Sequence, residues 1–155
     1  MNEIYKIFST VFYIGYIKWA PGTFGSLFSI IIIVFLYNII NYFEFIILFF
    51  ILFFLAIIIV GKFSDLIKKH DAKEIVIDEF LGIYLIIIFS NNFHSFNGMF
   101  KYLLIFLIFR FFDIIKFFPA NLIDKKLKNV YGIILDDLIA GIYTIITLTI
   151  INGFI

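Results

Sequence analysis

Apolar runs broken by short polar or glycine-bearing segments occupy most of the chain, at about 27–40, 43–60, 75–89, 99–118 and 137–155. A helix needs roughly 20 such residues to cross a hydrocarbon core. The second, fourth and fifth runs meet that length. The first and third are short, and are expected to tilt little, to thin the bilayer locally, or to stop part way as buried or re-entrant segments. Turn signals separate the runs: Asn38 and Asn41, Gly61 to Lys73, Ser90 to Ser95, and Pro119 to Gly132. Residues 4–17 mix Lys6, Ser9 and tyrosines with apolar positions and read as a short helix lying in the interface. The pattern predicts an all-α fold, a multihelical membrane bundle of about five apolar helices plus an N-terminal interfacial helix, in one domain over 1–155.

Composition strengthens that reading. The chain of 155 residues is 64% hydrophobic, whereas an ordinary soluble domain is about half apolar and about a quarter charged. Cysteine is absent, which excludes disulfides, thiolate metal sites and a phosphocysteine intermediate. A net charge of +1 with dispersed lysines gives no reason to expect nucleic acid, and no protein partner is inferred. Residues 1–26 lack the layout of a cleavable signal, so the N-terminus is expected to be retained. Lysines gather at 62–73 and 116–128 but not at 38–42 or 90–98, so the basic loops are expected on the cytoplasmic side. Trp19 and the tyrosines near apolar ends read as interface anchors, and His70 and His94 as solvent-exposed.

Against this background the charged residues inside or beside the apolar runs carry the chemistry. They are Asp78-Glu79, then Arg110 with Asp113 and Lys116, then Asp136-Asp137. Adjacent carboxylates are costly to desolvate unless a cation neutralises them, which points to a metal or phosphate site. Hard cations such as Mg²⁺ take carboxylate oxygens together with water and phosphate oxygens, which suits Asp78 and Glu79 one turn before Gly82. A solvated helix start would account for one acid more readily than for two. Arg110, Asp113 and Lys116 recur every three residues and trace one stripe, either a functional one or an ion pair with Lys116 reaching to the interface. In Ala20-Pro21-Gly22-Thr23-Phe24-Gly25-Ser26 the glycines allow close backbone approach, while Thr23 and Ser26 can cap the following helix and leave N–H groups for an anion. A plain loop and cap is the simpler account of that segment. In the topology set by the lysines, all the charged clusters fall at cytoplasmic helix ends and are expected to meet in one site.

These motifs resemble those of the phosphatidylglycerophosphatase A family, bacterial membrane enzymes that remove the terminal phosphate of phosphatidylglycerophosphate. The likeness runs through Ala20 to Ser26, Ile75-Val76-x-Asp78-Glu79-x-x-Gly82, Phe109-Arg110-x-Phe112-Asp113-x-x-Lys116 and Gly132-Ile133-x-x-Asp136-Asp137-x-x-Ala140-Gly141. Two positions depart from the family pattern: Phe117 stands where a proline follows the lysine, and Asn129-Val130 where a Gly-Gly pair is usual. The resemblance implies a multihelical, Mg²⁺-dependent phosphatase of the bacterial cytoplasmic membrane, with its site on the cytoplasmic face. On that basis Asp78, Glu79, Asp113, Asp136 and Asp137 are the expected catalytic acids, with Asp78, Glu79, Asp136 and Asp137 holding metal. Arg110, Lys116, Gly22, Thr23 and Ser26 are expected to meet the substrate phosphate. Direct attack by water and a phospho-aspartate both remain open. Two competing readings are a small ion-transporter subunit, which would want its acids near the bilayer midplane, and a noncatalytic remnant.

Overall fold

The computed structural model describes residues 2–69, 72–96 and 98–154, so His70 lies outside the described residues. Among these there are seven α-helices and no strand: α1 (Asn2–Ser9), α2 (Pro21–Ile39), α3 (Tyr42–Ile67), α4 (Ile77–Ile88), α5 (Gly98–Ile115), α6 (Ala120–Lys126) and α7 (Val130–Phe154). Three of them, α2, α3 and α7, are long and apolar enough to cross a membrane, and the molecule is a membrane protein.

Helix boundaries differ from the apolar runs where small or charged residues hide the helical period. α2 begins at Pro21, favoured at a first helical position, and its N-cap Ala20 makes no side-chain cap. Ser26 donates to the Gly22 carbonyl at 2.7 Å, so the expected loop is helical and neither Thr23 nor Ser26 caps it. The first run is therefore a 19-residue helix and not a short one. α7 starts at Val130, placing Asp136 and Asp137 in its second turn rather than at its start. α6 lies in a segment that reads as a turn. The expected interfacial helix over 4–17 is α-helical only to Ser9, after which positive φ at Val11, Phe12 and Tyr13 interrupts it before a single 3₁₀ turn at Ile14–Tyr16. His94 is exposed, as expected.

α4 is the core. Ten of its 12 residues are buried, which explains an apolar run too short to span yet apolar all round. It packs against α2, α3, α5 and α7. Its crossing with α7 is set by two glycines: a Cβ on Gly141 would lie 3.0 Å from the Gly82 carbonyl oxygen, and one on Gly82 would lie 2.9 Å from that of Asp137. Backbones can approach this closely only where no side chain intervenes.

The long helices alternate in direction. At one end Tyr42 donates to the Ile88 carbonyl, and Asn152 bonds both Asn92 and Ser95. At the opposite end stand the first turns of α2 and α4, the second turn of α7 and the last turns of α5.

Candidate active site

That second end encloses a cavity of about 340 Å³. Gly22 reaches it from α2, Asp78 and Glu79 from α4, Arg110 and Asp113 from α5, Asp124 from α6, and Asp136 and Asp137 from α7. Lys116 lines it from just beyond α5, where its φ of 47° ends the helix, so it leaves the helical stripe expected from its spacing. The clusters expected to meet at one end of the bundle do so.

Within the cavity the charges sort into groups. Carboxylate oxygens of Asp78, Glu79 and Asp137 all lie within 4.8 Å of one another, an arrangement able to hold a metal ion. Asp78 and Asp137 are buried, and one oxygen of Glu79, Oε2, is buried without a hydrogen-bond partner. A second group centres on Arg110, whose Nη1 lies 2.5 Å from Asp113 and 3.6 Å from Glu79. Ser26 touches this group only through Arg110, at 3.5 Å, and Thr23 is not among the lining residues. In the third group Lys116 donates to Asp124 at 2.9 Å and also to Asp136. Asp136, expected from the family resemblance to share a metal with Asp78, Glu79 and Asp137, is instead held by Lys116 and stands outside the cluster those three form.

Lys116 shows which effect wins. Burial disfavours its charge, but the hydrogen bonds and attraction of Asp136 and Asp124 outweigh that and raise its pKa above the ordinary value. The lysine is locked as a cation.

Asp124 and Lys73 also line the cavity and were missed from sequence. Asp124 sits in an unrecognised helix, and Lys73 looks like one more member of a basic loop. An acid eight residues after Lys116, in a run where Leu122, Ile123 and Leu127 recur at helical spacing among polar residues, was the available signal for the former.

Fold and site together define a polytopic membrane protein whose helices enclose a charged chamber at one end of the bundle. The phosphatidylglycerophosphatase A family model matches residues 7–152, and the chain belongs to that family. It is 37% identical over 132 residues to phosphatidylglycerophosphatase A of Haemophilus influenzae (strain ATCC 51907 / DSM 11121 / KW20 / Rd), covering 85% of this chain and 78% of that protein. No solved structure matches. The chain is a phosphatase, as the four motifs suggest, and not a transporter subunit.

Proposed function

We propose that this phosphatase hydrolyses phosphatidylglycerophosphate to phosphatidylglycerol and phosphate in phospholipid synthesis, uses Mg²⁺, and works at the cytoplasmic face of the bacterial inner membrane. The substrate follows the name of the Haemophilus relative. The observation that carries the reading is the cluster of Asp78, Glu79 and Asp137 facing Arg110 in one chamber. Six carboxylates against the three cations Lys73, Arg110 and Lys116 line it, too negative a wall to attract a phosphate unaided. A divalent cation reverses that balance, and the orphaned Glu79 Oε2 suits one.

Asp78, Glu79 and Asp137 would hold the Mg²⁺. Bound there, it supplies charge neutralisation and polarisation of the phosphate. Arg110, oriented by Asp113, offers guanidinium N–H donors to the phosphate oxygens as charge builds on them. Lys116, held by Asp136 and Asp124, keeps a second positive charge beside the chamber. The N-terminal turn of α2 at Gly22 adds the favourable end of a helix dipole. Hydrolysis breaks the bond between phosphorus and the glycerol oxygen, which leaves with a proton. The oxygen gained by phosphorus comes from water, directly or after transfer to a cavity aspartate.

The cytoplasmic assignment rests on lysines: Lys68, Lys69, Lys73, Lys116, Lys125, Lys126 and Lys128 all stand in segments at the chamber end. Purified protein incubated with phosphatidylglycerophosphate should release phosphate with Mg²⁺ and lose that activity in chelator. Absence of phosphate release at any Mg²⁺ concentration would remove the substrate, and full activity in chelator would remove the metal.

A further inference from the structure

A second cavity, of about 500 Å³, opens between α2 and α5. On α2 its wall runs Leu27, Ile30, Ile31, Val34 and Phe35, and on α5 it runs Met99, Tyr102, Leu103 and Phe106. Each set follows the i, i+3, i+4, i+7 spacing of one helix face, so two apolar stripes face one another. Ile31, Phe35, Met99 and Leu103 remain strongly exposed, so the stripes bound a groove and do not close into core.

The groove begins where the charged chamber ends. α2 and α5 touch through Ser26 and Arg110, and Phe106 lies one turn below Arg110. At ~1.5 Å per residue, Leu27 to Phe35 extends about 12 Å along the helix, close to the ~15 Å depth of one hydrocarbon leaflet. A cationic and carboxylate-lined chamber thus continues into an apolar channel one leaflet deep, the division of an anionic headgroup from a hydrocarbon tail.

We propose that the α2–α5 groove is the acyl-chain site of the substrate lipid, holding one fatty chain while the phosphate sits at Arg110. This rests on the lipid-phosphate reading of the chamber. The groove makes chain recognition part of substrate binding, so the enzyme distinguishes a lipid phosphate from the same headgroup without its tails.

Ile31→Trp and Leu103→Trp would fill the groove from opposite walls, at exposed positions where the fold has room. Each should lower kcat/KM on long-chain phosphatidylglycerophosphate by about tenfold, as expected for displacing a few methylenes, and leave the rate on the deacylated headgroup unchanged. Ile58→Trp, exposed on α3 away from the groove, should alter neither rate. Equal losses on both substrates, or no loss on the long-chain lipid, would overturn the proposal. A binding readout is independent of turnover. In a Trp19→Phe background, fluorescence of Leu103→Trp should be quenched more strongly by phosphatidylglycerophosphate with brominated chains than by phosphatidylcholine brominated likewise. Equal quenching by the two lipids would make the groove ordinary bilayer contact, whereas preferential quenching without phosphate release would keep the groove and sink the hydrolytic reading.

Discussion

Among the described residues no cation pairs with Asp78 or Asp137, although Glu79, Asp113, Asp124 and Asp136 each have one. Their charge is therefore the least compensated in the chamber. Asp78→Asn and Asp137→Asn keep the shape and remove the charge, and each should abolish most phosphate release, with only partial rescue by raised Mg²⁺ because a ligand has gone. In chelator the same variants should unfold no earlier than the parent, since one of several repelling carboxylates has been neutralised; earlier unfolding would mark them as structural. Lys116 behaves oppositely. Its folded-state pKa lies above its ordinary 10.5, so the contribution of its ion pairs is fully present below that value and fades only as pH rises through the folded-state pKa. Lys116→Met should accordingly lower the thermal unfolding temperature at neutral pH, where it also leaves Asp136 buried and unpaired, and the deficit should narrow only in strong alkali.

At the scale of elements, the α4–α7 crossing sets how near Asp78 and Asp137 stand. A methyl on Gly82 would meet the Phe109 ring at 2.7 Å and the Asp137 carbonyl at 2.9 Å, so Gly82→Ala should destabilise by about 1–3 kcal/mol and lower activity together. Melting and turnover measured on the same preparation check this, and a stable, fully active Gly82→Ala would refute the close crossing. Gly22→Val is a different case: its side chain would run into Glu79 Oε1 and Arg110, so phosphate release should fall while membrane insertion persists. What sequence revealed follows from the same physics. Charges within apolar runs stand out because they are costly there, and so every chamber acid but Asp124, together with Arg110 and Lys116, was legible along with the bundle. The start of α2 was hidden because Gly, Thr and Ser suit a loop as well as a helix. α6 was too short for its period to register. The partners of Asp136 and Lys116 are tertiary, and the apolar pattern runs on past Lys116 to Phe118 although the helix does not.

Across the whole molecule, α3 and α4 share one end through Tyr42 and Ile88, yet α3 has 26 residues and α4 only 12. With ~1.5 Å of rise per residue, α4 stops about 20 Å short of the other end of α3. Along α7, which reaches that same end at Asn152, Asp137 beside Asp78 stands about 22 Å away, against a hydrocarbon core ~30 Å thick. With that end set at the far boundary of the core, the chamber lies roughly 8 Å inside the near one, off the midplane and a little below the headgroups. Bilayer thickness then becomes a control on the enzyme. A thin host membrane brings the plane of lipid phosphates down to the chamber, and a thick one lifts it away at a cost of fractions of a kcal/mol per Å. With protein reconstituted into hosts of graded chain length at constant substrate fraction, turnover should fall as the bilayer thickens; a flat profile would place the chamber level with the headgroups. The short central helix would in that way let the membrane's own dimensions tune how fast its lipid is made.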